Sequence, residues 1–251
     1  NLHHFARRPS FFAKLFALNP EARIDLAPAD TPCNAEVGLV DFVSGGAITQ
    51  ASFYCLLRLP NVRGSARVIE NTTSDHSNLN RYGLLRRSDL FEFKAETLRR
   101  FASDNLRITT ENVRLEASTF ASLMPLAPRV LVGVDHIPTR WFVQESNPKW
   151  LAIGASTHWN AMASFHVQGL ACARCLHPED DVNDAPIPTI SVVSFWAGLL
   201  NAAYFLRDLA GAPVAAHDQH IFLTPLRPEA PWRGAVILKP DCPICREPRV
   251  A

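Results

Sequence analysis

The sequence predicts an α/β fold: a mostly parallel sheet with helices on both faces, closed by a C-terminal β-hairpin region. Two patterns predict the sheet. Apolar runs of strand length alternate with segments of helical spacing, and the clearest runs are almost continuously apolar, as strands covered on both faces are. A late pair of apolar segments, each near a cysteine pair, predicts the hairpin.

At 251 residues, 47% hydrophobic and 20% charged, the chain is long enough for one large domain. Pro20, Pro28 and Pro32 mark an irregular linker after an aromatic, basic stretch from Phe5 to Leu18, helical from Ser10. Residues 1–36 therefore read as an N-terminal helical and linker segment, and 37–251 as the domain. Val37 to Val43 is a strand ended by Ser44-Gly45-Gly46, Ala47 to Leu59 a helix, and Ala66 to Ile69 a second strand. Leu90 to Ser103 has helical spacing through Phe93, Leu98 and Phe101, and Leu106 to Thr109 is a short strand. Val130 to Val134 is the clearest buried strand and ends on Asp135. Ile153 to Leu170 reads as strand, loop and strand. Ser191 to Ala210 is a helix stopped at Gly211, and His220 to Leu223 with Ala235 to Leu238 form the terminal hairpin.

The balance of 25 Lys+Arg against 24 Asp+Glu excludes the basic footprint of a dedicated nucleic-acid binder. No run approaches eighteen apolar residues, so no membrane span is expected. The longest candidate, Ile190 to Leu206, is broken by Ser191, Ser194, Gly198 and Asn201 and reads as a buried helix. The chain starts at Asn1 without Met or a signal-peptide pattern, as a fragment or a processed chain does. With no dense disulfide framework, the composition is that of a cytoplasmic enzyme.

Six cysteines carry the strongest local signal. Cys172-Ala-Arg-Cys175 and Cys242-Pro-Ile-Cys245 are two knuckles, and four thiolates at tetrahedral reach suit a structural zinc with no open catalytic position. Redox-active dithiols and plain buried cysteines are the other readings. Gly45 and Gly46, between a strand and a helix, bring backbone N–H groups near a phosphate or simply make a turn. Glu70, at a strand end, is placed for ribose hydroxyls. The loop Ser77-Asn78-Leu79-Asn80-Arg81 and Lys94, one of only four lysines, add two cations that can converge on a triphosphate. Asp135 sits where open α/β sheets bind ligands and can hold Mg²⁺. Taken singly, each of these is as well explained by a surface charge or a cap.

Together, from about Val37 to Cys245, these features resemble the ubiquitin-activating-enzyme-like superfamily, the ThiF/MoeB-type adenylyltransferases. There a glycine-rich turn is followed by an acidic strand end and, at fixed spacing, a Ser-Asn-Leu-x-Arg loop. Here Arg81 stands eleven positions after Glu70. Asp89 and Lys94 keep the Asp-x-x-x-x-Lys spacing, Asp135 fits the magnesium aspartate, and the cysteine knuckles close the domain. The resemblance implies a Rossmann-like fold with Gly45, Gly46, Asn78, Arg81 and Lys94 on ATP, Glu70 on its ribose and Asp135 on Mg²⁺. Arg81, Lys94 and Asp135 would carry catalysis, and Cys172, Cys175, Cys242 and Cys245 would hold zinc.

The activity it implies is adenylation of the C-terminal carboxylate of a small β-grasp ubiquitin-like protein or a peptide. It also implies a homodimer, with Ser191 to Leu206 at the interface and Arg7 and Arg8 reaching the neighbouring site. The alternative is a non-catalytic docking module of the same fold. Val43 and Ile48 stand where the family has glycines, predicting a crowded turn. Glu70 replaces the usual Asp, Thr72 a common acid and Tyr82 a frequent Gln. Thioester-forming members carry a cysteine in the crossover segment, but Leu176 to Val193 has none. Cys55 reads as a buried hydrophobe and Cys33 does not match in position, so no thioester is expected on this chain. His158 and His166 read as satisfied surface or core histidines, and His136 lies next to Asp135.

Overall fold

The computed structural model describes residues 36–178, 189–212, 214–224 and 232–246. The expected N-terminal segment, with Arg7, Arg8 and Cys33, lies outside them except for Glu36, and so does 179–188 of the crossover.

Among the described residues, eight strands form one sheet in the order β3-β2-β1-β4-β5-β6-β7-β8. β1 (Glu36–Val43), β2 (Arg63–Ile69), β3 (Leu106–Glu111), β4 (Arg129–Val132) and β5 (Trp150–Thr157) pair in parallel. β6 (Asn160–Val167), β7 (His220–Leu223) and β8 (Trp232–Gly234) continue it antiparallel. The parallel half is crossed over by helices, whereas β5 and β6 meet in a tight turn at His158, whose φ is +48°.

Side-chain alternation divides the core between the two faces. Val40 and Phe42 of β1, Val68 of β2 and Leu131 of β4 face α1 (Ala47–Leu56), α2 (Lys94–Arg99) and α4 (Ser191–Leu209). Val43, Ile69, Val130 and Val132 face the other way, onto α3 (Ile137–Glu145) through Val143. Each such fully buried Val, Leu, Ile or Phe contributes about 1.5–3 kcal/mol. α4 crosses α1 closely at Gly198, where a Cβ would stand 2.3 Å from the Ile48 carbonyl oxygen. Ser52 Oγ closes the same contact, donating to the Gly198 carbonyl at 2.9 Å. α4 stops at Gly211, which takes the positive φ (+76°) that ends helices.

Three elements differ from expectation. The second hairpin strand is Trp232–Gly234, with Ala235 to Leu238 non-strand beyond it. The helix expected over Leu90 to Ser103 is confined to α2. Before it the chain turns at Phe91, whose φ of +72° no helix accepts. α3 is a further element, short and with polar Thr139, Arg140 and Gln144 turned inward beside Val143. It starts on a His136 cap whose ring accepts the Thr139 N–H, with Pro138 in the first turn.

Candidate active site

Three strand ends build the site. β1 runs into Ser44–Gly46, β2 is followed by Glu70, and β4 leads through Gly133 and Val134 to Asp135. β1 lies between β2 and β4, and the helices that follow β1 and β4 cover opposite faces. That is the switch point at which open α/β sheets leave a crevice for a ligand.

The turn is held from within. Ser44 adopts φ +125°, a strained conformation for a residue with a Cβ, and its N–H donates to the Ile69 carbonyl at 3.0 Å. Ser44 Oγ accepts the Gly46 N–H at 2.9 Å, and Glu70 Oε2 accepts the Gly45 N–H at 3.1 Å. The two amides that sequence reasoning directed at a phosphate are therefore satisfied inside the protein. Gly45 is still required as glycine, because a Cβ there would lie 2.8 Å from Lys94 Cβ.

The expected crowding by Val43 and Ile48 falls elsewhere. Val43 is buried in the α3-facing core. Ile48 packs against Gly133 and Gly154, whose missing side chains receive it: a Cβ on Gly154 would stand 2.7 Å from Ile48 Cγ2.

Glu70, Thr72 and Lys94 form a chain. Glu70 Oε1 accepts both the N–H and the hydroxyl of Thr72 at 2.9 Å, and Lys94 Nζ donates to Thr72 Oγ1 at 2.8 Å. Thr72 thus links the acid and the cation in the position where the family often has a second acid. Lys94 Nζ and Arg81 Cζ stand 5.7 and 5.5 Å from the centroid of the Tyr82 ring, within cation–π range. Arg81 also folds onto its own loop, donating to the Ser77 carbonyl at 2.8 Å and Asn80 Oδ1 at 3.0 Å. Asn78 is buried, and its Oδ1 accepts the Asp75 N–H, so its side chain closes the loop.

Several of these charges bear on the Tyr82 phenol. Burial pushes the Tyr82 phenol up to about 12; the nearby Arg81 charge opposes that rise, while Glu70, Asp135 and Asp75 add to it. The Asp75 carboxyl is held below its usual range by the Ser77 hydrogen bond first, with help from the Lys94 charge. Arg81 and Lys94 thus rest on the Tyr82 ring, whose hydroxyl lies by Gly46.

Sequence reasoning missed Arg140. It is 5% exposed and clamps the residue before Asp135: Nε and Nη2 donate to the Val134 carbonyl at 3.1 and 2.9 Å. Nη1 lies 3.1 Å from His177 Nε2. Burial lowers the Arg140 pKa to about 10, opposed by the Asp135 charge, which leaves it cationic at neutral pH. Its spacing from Asp135 was the available signal, but a lone arginine on an unpredicted helix carried no weight.

The histidines are structural or peripheral. His166 is buried between the Ala171 carbonyl (2.9 Å) and Ser164 Oγ (3.0 Å), and His158 sits at the β5–β6 turn beside Thr157 Oγ1. Burial raises the Cys55 thiol to about 11, which suits a packed side chain and no nucleophile.

The four knuckle cysteines meet, as the spacing implied. Their sulfurs all lie within 4.8 Å of one another, with Cys172–Cys175 at 3.8 Å, Cys172–Cys242 at 3.4 Å and Cys175–Cys245 at 3.6 Å. Zn–S bonds near 2.3 Å in a tetrahedron put sulfurs about 3.8 Å apart, so the donor set fits zinc. The Lys239 N–H points at Cys175 Sγ, 3.4 Å away, as outer-shell donors do.

No family model matches the chain. A curated relative, uncharacterized protein y4jF of Sinorhizobium fredii, is 26% identical over 176 residues. That match covers 67% of this chain and 33% of the relative, so the chain spans about a third of the length of the relative it matches. E. coli MccB solved with ATP superposes with a TM-score of 0.68 at 17% identity, covering 86% of this chain and 67% of MccB. The microcin C7 biosynthetic enzyme MccB in complex with N-formylated MccA gives 0.69 at 16% identity, over 86% of this chain and 69% of that one. PaaA gives 0.61 at 10% identity, over 79% and 64%. No described helix is long and apolar enough to cross a membrane. By these likenesses the chain shares the α/β fold of MccB and PaaA.

Proposed function

We propose that this chain binds Mg·ATP above the Ser44–Gly46 turn and adenylates the C-terminal carboxylate of a peptide or small protein. One observation supports the reading: Arg81 and Lys94 rest against the Tyr82 ring, whose hydroxyl lies by Gly46, and Thr72 ties Lys94 to Glu70 at the switch point of the sheet. The neighbours solved with ATP and with N-formylated MccA support the same chemistry.

In this reading a carboxylate oxygen of the partner attacks the α-phosphorus of ATP. The bond from that phosphorus to the bridging oxygen breaks, and pyrophosphate leaves with the electron pair. Lys94 and Arg81 neutralise charge on the phosphates, so positioning and electrostatics carry the rate. Glu70, fixed by Gly45 and Thr72, retains one lone pair on Oε2 for a ribose hydroxyl. Asp135 would hold Mg²⁺, which shields phosphate charge when bound. Zinc in the Cys172, Cys175, Cys242 and Cys245 cluster would fasten the C-terminal segment to the sheet. No described cysteine stands as a thioester nucleophile, so the acyl group passes to an acceptor elsewhere. A β-grasp partner, a homodimer, a cytoplasmic location and a single domain over 37–251 belong to the same proposal.

The test is ATP–pyrophosphate exchange with Arg81→Ala and Lys94→Ala. Each removes a charge-assisted phosphate contact of roughly 1.5–3 kcal/mol, so each should slow exchange at least tenfold. Unchanged exchange in both variants, or no heat on titrating Mg·ATP into the parent chain, leaves only a docking role.

A further inference from the structure

Asp135 is exposed, and among the described residues no hydrogen bond holds its carboxylate. Its direction is therefore set by the main chain that carries it. That main chain is gripped from α3. Arg140 Nε and Nη2 both donate to the Val134 carbonyl, at 3.1 and 2.9 Å, one residue before Asp135. Two donors of a planar fork on one oxygen fix the peptide's orientation as well as its distance.

A fork at the end of a long side chain needs a further point to stop it turning. His177 supplies that point: its Nε2 lies 3.1 Å from Arg140 Nη1. Arginine only donates, so Nε2 accepts and the ring carries its proton on Nδ1. The histidine is itself held at both ends of its backbone. Its N–H donates to the Ala173 carbonyl at 2.9 Å, and its carbonyl accepts the Trp141 Nε1–H at 2.8 Å. Gln144 Oε1 accepts the Ala173 N–H at 3.0 Å. Arg140, Trp141 and Gln144 of α3 thus all engage 173–177, the stretch that carries Cys175 and opens the crossover.

We infer that His177 is a positioning residue: by accepting the Arg140 Nη1–H it fixes the guanidinium on the Val134 carbonyl, and with it the strand end from which Asp135 reaches Mg·ATP. The inference rests on the ATP-binding reading above and adds to it a residue from the root of the crossover. A ring that merely filled space there would need no acceptor, and phenylalanine would serve as well.

His177→Phe and His177→Gln test this in the full chain. Phe keeps a flat ring in the same space and removes the acceptor, whereas Gln offers Oε1 in its place. Calorimetric titration with Mg·ATP should show the Phe variant binding about tenfold more weakly, the size of a hydrogen bond to a charged group. Its affinity for ATP without added magnesium should equal the parent's, because only the Asp135 contact is misplaced. In the ligand-free Phe variant, amide exchange should quicken over 133–136 while β1 and β2 stay protected and zinc content matches the parent. His177→Gln should recover most of both losses. A Phe variant with parental Mg·ATP affinity and parental protection of 133–136 overturns the inference, and so does a loss that Gln does not repair. Equal weakening with and without magnesium, or loss of zinc, also overturns it, since His177 then supports the knuckle or the fold as a whole. If the parent chain binds no ATP, the ATP-binding reading falls, and exchange over 133–136 alone decides whether His177 holds that strand end.

Discussion

Glu70 reaches back across the turn to Gly45, accepting its N–H on Oε2 at 3.1 Å while Oε1 holds Thr72. The carboxylate thus joins the end of β2 to the turn after β1. Its charge is needed twice, because three donors converge on its two oxygens. In Glu70→Gln one of those oxygens becomes an NH₂ that faces a donor. We expect ATP–pyrophosphate exchange at subsaturating ATP to fall about tenfold, since a hydrogen bond to a charged group is worth roughly 1.5–3 kcal/mol. Thermal unfolding should change little, as the site lies at the sheet's rim. An unaltered exchange rate would show that Glu70 serves neither turn nor nucleotide.

Ile48 marks where this chain moved bulk away from its turn. A Cβ on Gly154 would lie 2.7 Å from Ile48 Cγ2 and 2.9 Å from Asn201 Nδ2, and one on Gly133 would lie 3.3 Å from Ile48 Cβ. Gly154→Ala should therefore destabilise the fold by about 1–3 kcal/mol, the usual cost of overpacking. Adding Ile48→Leu should return part of that loss by removing the Cγ2 branch from the contact. Urea unfolding of the two single variants and the double variant measures it. Strictly additive effects would mean that the two residues do not share the space.

The sheet's parallel half was legible because its strands are apolar on both faces and its punctuation is explicit, as at Ser44-Gly45-Gly46 and Val130 to Val134. The four cysteines were legible because knuckle spacing is a metal constraint written in sequence. What stayed hidden depends on tertiary contacts. α3 buries Thr139, Arg140 and Gln144 beside Val143, polar residues whose partners come from other elements, so its buried face is not a purely apolar stripe. Val43 and Ile48 read as obstacles because the glycines that make room for Ile48 lie on β4's extension and on β5. The β8 position was missed since Trp232 and Arg233 alternate too briefly, and the strand is defined by pairing to β7.

Acid should weaken the fold through His220. Burial between β6 and β8 holds its imidazole below the ordinary value of 6.5, and its ring meets Trp232 edge-on at 5.2 Å. Above about pH 6.5 the ring is neutral in folded and unfolded chains alike, so its contribution is fully present. As pH falls below that value the unfolded chain takes up a proton that the folded chain refuses, and stability is lost toward the depressed folded pKa. His177, lining the same small cavity, is held low by burial and by Arg140 and adds to the trend. Urea midpoints from pH 8 to pH 5 should fall less steeply in His220→Gln than in the parent chain. Identical slopes would place the acid sensitivity elsewhere.

Metal removal should loosen one corner of the molecule and leave the rest standing. The apolar support around the thiolates is small: Ala171, Val236 and Ile244 are the side chains that pack with the cysteines. Structural zinc supplies folding energy directly, whereas β1 to β5 are carried by the two cores on either side of the sheet. Elemental analysis should find one zinc per chain. Stripping it with a chelator should expose four thiols and raise amide exchange over 171–177 and 232–246, with β1, β2 and β4 still protected. If the sulfurs were merely buried neighbours, the purified chain would carry no metal and a chelator would change none of these amides.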